Sequence, residues 1–156
     1  MNVILLRSLS KGYSLAGLRF GYGLGPAPLI AALDKARDSY NTNVLAQHAA
    51  IAALEHVQDA AKSWQAVIEQ RDRMNAALAT RGWYIYPSQA NFILGTPADQ
   101  AGSAKRAKLN NETLKQNGIL VRYFDQDRLR DKLRLTGGTA DQNDALLATL
   151  DEINHG

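Results

Sequence analysis

Residues 58–81 carry apolar side chains at Trp64, Val67, Ile68, Met74 and Leu78, with Arg71 among them, and Gly82 stops the run. That is the spacing of one face of a long helix, which predicts a bridge between two lobes of different architecture. Upstream of it, residues 2–8 read as a buried strand and residues 19–24 as a second, with a turn between. Pro26 and Pro28 open a helix to about Arg37, because proline is tolerated in a first helical turn. Residues 38–43 are turn chemistry, and Val44 to His56 is an alanine-rich helix whose small residues predict close packing in a buried or interfacial position.

Downstream the pattern changes. Trp83 to Tyr86 and Ala90 to Leu94 read as strands about Pro87, and residues 103–116 as a helix closed by Asn117-Gly118. Ile119 to Tyr123 and Leu133 to Thr136 are further strands, followed by a last helix from Asp141 to Ile153, capped by Asp141. The prediction is an α/β chain that ends in an α+β lobe, a small antiparallel or mixed sheet covered by helices.

Composition narrows the function. The 156 residues, 46% hydrophobic and 21% charged, suffice for a buried core. A net charge of +3 is too mild to imply nucleic acid. Cysteine is absent, so there is no disulfide framework and no thiolate metal site. His48, His56 and His155 lack metal-ligand spacing, and no metal is expected. Lys105, Arg106 and Lys108 share a helix with Glu112 and Lys115 and read as a solvated face. No apolar stretch reaches membrane length and Arg7 interrupts the first one, so a cytoplasmic chain without a membrane partner is expected. The glycines of Gly21-x-Gly23-x-Gly25 lack the spacing of a dinucleotide loop and are assigned to close packing and a turn.

The chemistry lies in Ser8-Leu9-Ser10-Lys11-Gly12-Tyr13-Ser14-Leu15-Ala16-Gly17-Leu18-Arg19-Phe20-Gly21. A lysine in an apolar, glycine-flanked turn beside a second cation is a nucleophile for an aldehyde. The hydroxyls of Ser8 and Ser10 and the fork of Arg19 are the donors a phosphate dianion needs. Pyridoxal phosphate carries both groups. Tyr13 either lines the pocket or packs beside the turn.

With Pro87-Ser88-Gln89-Ala90-Asn91-Phe92, Gly118-Ile119-Leu120-Val121-Arg122 and Lys132-Leu133-Arg134-Leu135-Thr136-Gly137-Gly138-Thr139 following in order, the sequence resembles fold-type I pyridoxal-phosphate enzymes of the class I/II aminotransferase group, closest to its histidinol-phosphate branch. The resemblance covers essentially the whole chain. It implies that Lys11 is the catalytic lysine, that Ser8, Ser10, Lys11 and Arg19 bind the cofactor, and that Arg134 meets a substrate carboxylate and Arg122 a substrate phosphate. Independently, two arginines flanked by aliphatic residues in late strands call for anions, the alternative being pairing with Asp125, Asp127 or Asp131. Asn91 is placed either to orient Arg134 or a substrate carboxylate, or as a satisfied core amide.

The resemblance further implies transamination of an amino acid or amino-alcohol phosphate, most closely histidinol phosphate, with glutamate and 2-oxoglutarate. Because the matched motifs belong to the later part of that family's chain, a C-terminal fragment is expected. Residues 1–56 would then be the remnant of the large cofactor lobe, and 57–156 the linking helix and small lobe. Such a fragment is expected to be inactive alone and to self-associate, as a homodimer or higher, through apolar surface left uncovered. The alternatives are a decarboxylase or lyase on the same scaffold, of the threonine-phosphate type, and a non-catalytic self-associating fragment.

Overall fold

The computed structural model describes residues 2–98 and 104–155, without the side chains of residues 154 and 155. Residue 103, the expected helix start, and the His155 side chain therefore lie outside the described residues. The chain forms two compact units, residues 1–64 and 65–156.

The first unit opens with an antiparallel ribbon. Strand β1 (Leu5–Ser8) pairs with β2 (Gly21–Leu24) in the register Leu5↔Leu24 to Ser8↔Gly21, and a 3-10 turn, Ala16–Leu18, lies between them. The register requires glycine at its tight end, since a Cβ on Gly21 would stand 2.8 Å from the Arg7 carbonyl oxygen. Helices α1 (Ala27–Ala36) and α2 (Val44–Glu55) follow. Pro28 sits in the first turn of α1, and Asn43 caps α2 by accepting the Ala46 N–H at 2.8 Å. The expectation of a buried strand over residues 2–8 is corrected: β1 is exposed along its whole length. An apolar strand is buried only when a second layer covers it, and this ribbon has two strands. In α2 only Ala46 and Ala50 are buried, while Val44, Leu45, Ile51 and Leu54 are exposed.

Helix α3 (Val57–Thr80) contributes residues to both units. Its end is a Schellman motif: Gly82 takes φ +77°, its N–H reaches the Ala79 carbonyl and the Trp83 N–H reaches the Leu78 carbonyl. The left-handed backbone at position 82 is why glycine stands there.

The second unit holds strands β3 (Tyr84–Ile85) and β4 (Phe92–Thr96), helix α4 (Ala104–Gln116), strands β5 (Arg122–Tyr123) and β6 (Leu133–Thr136), and helix α5 (Ala140–His155). The strands make one antiparallel sheet in the order β3-β4-β6-β5. Period-two alternation puts Ile93, Leu133 and Leu135 on the face that joins Met74, Leu78, Leu114, Leu146, Leu147 and Leu150 from the helices in one apolar core. Gly95 belongs to that face because there is no room for more: a Cβ there would lie 2.9 Å from Ile85 Cδ1 and 3.1 Å from Trp83 Cε3.

Polar side-chain pairs tie α3, and Arg81 just beyond its end, to α5. Gln70 accepts from Asn143 at 3.0 Å, Arg73 pairs with Asp144, and Arg81 forks onto both Asp151 oxygens at 2.7 and 2.6 Å. The partners ascend together in number, so the two helices run parallel here. The Arg81 guanidinium is held above its ordinary range, chiefly by the Asp151 hydrogen bonds, which outweigh the opposite pull of burial.

The cap of α5 differs from the expectation. Asp141 lies inside the first turn, and the cap is Thr139. Its Oγ1 accepts the Gln142 N–H at 3.4 Å, while Gln142 Oε1 accepts the Thr139 N–H at 3.0 Å. This reciprocal box needs a hydroxyl and an amide three residues apart, which Thr139 and Gln142 supply and Asp141 does not.

Candidate functional site

Leu9 anchors the lysine turn. It is 1% exposed, its N–H reaches the Phe20 carbonyl at 3.3 Å and its carbonyl accepts the Leu15 N–H at 3.1 Å. With Leu9 turned inward, the residues on either side face outward. Ser8 Oγ donates to Ser10 Oγ at 2.8 Å and accepts the Ser10 N–H at 3.1 Å, so both hydroxyls converge at one point just before Lys11.

Lys11 is exposed and makes no ion pair among the described residues. The apolar surrounding expected of it is therefore absent around its amine. Arg19 sits in the left-handed region at φ 56°, ψ 41°, a conformation that costs a non-glycine residue roughly 1–2 kcal/mol. One of its terminal nitrogens, Nη1, donates to the Ala16 carbonyl at 3.0 Å. The rest of the fork has no partner among the described residues.

The turn is also held from a distance. The Trp64 indole N–H donates to the Gly12 carbonyl, and the Tyr13 ring meets the Trp64 ring edge-on at 5.5 Å. Tyr13 is thus a packing aromatic, and it lines a cavity of about 280 Å³ with Gly12, Ser14, His56 and Asp59. His56 Nδ1 lies 2.9 Å from the Ala52 carbonyl, at the end of α2. Among the described residues no group of three or more potential metal ligands occurs, and no helix is long and apolar enough to cross a membrane.

In the second unit Arg122 and Arg134 stand on the sheet face opposite to Ile93, Leu133 and Leu135, the residues that join the core. Arg122 and Arg134 are direct cross-strand partners. Their guanidinium carbons lie 5.5 and 5.9 Å from the centroid of the Phe124 ring, and that of Arg134 lies 5.4 Å from the Phe92 ring. Neither arginine has a carboxylate partner among the described residues. The aspartates close to them in sequence are engaged elsewhere: Asp125 and Asp127 with Arg130, at 2.9 and 3.4 Å, and Asp131 with Lys132 at 2.6 Å. Arg134 Nε is buried and has no hydrogen-bond partner. An unmet buried donor on a cation costs free energy until an acceptor, best an anion, meets it.

Asn91 precedes β4 and is exposed, so it is not a core amide. Its backbone carbonyl accepts the Gly137 N–H at 3.2 Å, and its side chain makes no hydrogen bond to Arg134 among the described residues. Of the roles foreseen for it, orienting Arg134 is not realised.

Sequence reasoning missed Phe124 and the second role of Trp64. Phe124 had a signal, since it stands two residues from Arg122 and so on the same side of an extended segment. Trp64 had none beyond its place on a helical face.

In chemical terms the first unit presents an amine, two hydroxyls and a guanidinium within one turn, a donor set that suits an aldehyde bearing a phosphate. The second presents Arg122 and Arg134 side by side, neither with a carboxylate partner among the described residues.

Comparison with known proteins gives a consistent picture. The profile of the family described as aminotransferase class I and II matches residues 1–150. A histidinol-phosphate aminotransferase of Microcystis aeruginosa is 42% identical over 152 residues, which are 97% of this chain and 42% of that protein. The chain thus spans well under half the length of such curated relatives. Among solved structures, a histidinol-phosphate aminotransferase from Sinorhizobium meliloti, in complex with pyridoxal-5'-phosphate, aligns with a TM-score of 0.84 at 29% identity, over 99% of this chain and 41% of that one. An L-threonine-O-3-phosphate decarboxylase from Porphyromonas gingivalis aligns at 0.80 and 24% identity, over 99% of this chain and 47% of that one, a likeness of fold.

Proposed function

The chain belongs to the class I and II aminotransferases, and we propose that it contributes Lys11 to a pyridoxal 5'-phosphate site serving the transamination of histidinol phosphate with glutamate and 2-oxoglutarate, without turning over by itself. In this reading Ser8, Ser10 and Arg19 bind the cofactor phosphate. The cofactor, when bound, supplies an electrophilic carbonyl and an electron sink. Lys11 Nζ is the nucleophile towards that carbonyl and afterwards carries the proton to and from the substrate α-carbon. Arg134 takes a carboxylate and Arg122 a phosphate, with the exposed Asn91 amide available to the same anions.

The observation that carries the reading is the unpaired state of Arg122 and Arg134. Two like charges directly opposite in a ladder destabilise a sheet. Asp125, Asp127 and Asp131 are each engaged by another cation, and neither arginine has a carboxylate partner among the described residues, which supports a role in meeting substrate anions. A phosphorylated substrate and a dicarboxylate donor both provide them. A decarboxylase acting on a phosphorylated amino acid would also provide two anions, and is the second reading, supported by likeness of fold to the Porphyromonas gingivalis protein.

The exposed apolar side chains of the ribbon and of α2, with Leu6 at 76% and Leu45 at 75% exposure, support self-association of the chain. A cytoplasmic setting accords with histidinol-phosphate metabolism and is part of the same proposal.

Borohydride reduction of the chain with pyridoxal phosphate, followed by peptide mapping, tests the assignment. The pyridoxyl group is expected on Lys11, and to be lost in Lys11→Ala. Labelling is expected to be slow, because Ser8, Lys11 and Arg19 are exposed and ion pairing in water is weak. Label spread over the lysines with no preference for Lys11 would overturn the proposal.

A further inference from the structure

We infer that Phe124 is a positioning residue for substrate anions, its ring holding the Arg122 and Arg134 guanidinium groups in one fixed relation; the inference rests on the proposed role of that arginine pair. Strand register brings the two cations opposite each other, where repulsion alone would drive the side chains apart. Phe124 follows β5 and stands within cation–π reach of both, at 5.5 Å from Arg122 and 5.9 Å from Arg134. One negative ring face thereby offsets part of the repulsion between two positive groups. A guanidinium stacked on a ring engages its flat face and keeps its N–H edge for an anion.

The two arginines are held unequally. Arg134 is within reach of both the Phe124 and Phe92 rings and is half-buried, whereas Arg122 has the Phe124 ring alone among the described residues and is exposed. Phe124 is the side chain common to both, so its removal is expected to loosen both forks together. Aliphatic bulk does not replace it, because the attraction comes from the ring quadrupole.

The test uses the 15N-labelled 156-residue chain with Phe124→Leu, Phe124→Met and Phe124→Tyr, following the Nε–Hε resonances of Arg122 and Arg134. Glutarate and phenyl phosphate are the anionic probes. In the unsubstituted chain both resonances are expected to carry a ring-current displacement and to respond to the probes. Leucine and methionine should abolish the displacement at Arg122, reduce it at Arg134, which keeps the Phe92 ring, and weaken binding roughly three- to tenfold. Tyrosine, which keeps the ring, should stay within about twofold. Backbone resonances of the core serve as the control for folding, and two aliphatic variants guard against one that fails to fold. Binding by the leucine and methionine variants as tight as that of the unsubstituted chain overturns the inference alone. Arginine resonances that ignore both anions in the unsubstituted chain overturn the proposed function, and the inference with it.

Discussion

The indole N–H of Trp64 donates to the carbonyl oxygen of Gly12, the residue directly after Lys11. A helix residue thus holds the backbone of the turn that carries the nucleophile. Trp64→Phe keeps a ring for Tyr13 and removes the donor, and is expected to cost about 1 kcal/mol in urea unfolding. The same variant should slow borohydride trapping at Lys11 relative to the other lysines. Unchanged trapping would mean that the hydrogen bond does not order the turn.

The box that caps α5 ranks three substitutions. Thr139→Ala should lower stability by about 1 kcal/mol and Gln142→Ala by less, while Asp141→Ala should cost a few tenths through the helix dipole. Urea unfolding of the three variants checks the order. If Asp141 were the capping residue, its substitution would be the costliest.

Lys132 makes the stability of the second unit sensitive to alkali. Its ammonium is held above the ordinary lysine range, first by the hydrogen bond to Asp131 and further by Tyr86, against the downward pull of burial. A raised folded-state pKa means that this contribution is complete below the unfolded value of about 10.4 and is lost as pH rises through the higher folded value. The unfolding free energy of the native chain should therefore fall more steeply above that pH than that of Lys132→Met. Parallel curves for the two proteins would contradict the assignment.

At position 95 a single methyl group is expected to disturb the core. Gly95→Ala would press on Ile85 Cδ1, which can rotate away, and on the ring of buried Trp83, which has less room. A cost of about 1–3 kcal/mol is expected, with a change in Trp83 fluorescence. Neutral stability with unchanged emission would show that the sheet relaxes freely.

Periodicity and end signals made the elements legible. The helix ends at Gly82 and Gly118 are both left-handed, as glycine in those places implied, and β6 has the bounds read for it. Burial was less legible. The apolar composition of residues 2–8 says that the strand suits a core, whereas exposure depends on whether another layer lies over it, which local pattern does not encode. The arginines were visible as cations in apolar strands, but their unpaired state depends on Arg130 and Lys132 taking the aspartates, a matter of geometry around a loop. Phe124 was hidden for the same reason: it acts through two residues that become neighbours only when β5 meets β6.

The parallel helices α3 and α5 measure each other. Arg73 and Arg81, the latter in the turn that ends α3, are about 12 Å apart along the helix direction, and Asp144 and Asp151 about 10.5 Å apart along α5, so the two ion pairs close together at one alignment. A slip of one turn, about 5.4 Å, opens both. Removing one residue between Asp144 and Asp151 would swing the second carboxylate by about 100° and leave Arg81 facing the wrong side of the helix. The last helix is therefore seated by a two-point gauge: the core supplies the adhesion, and the distance between two charges decides where it may stop.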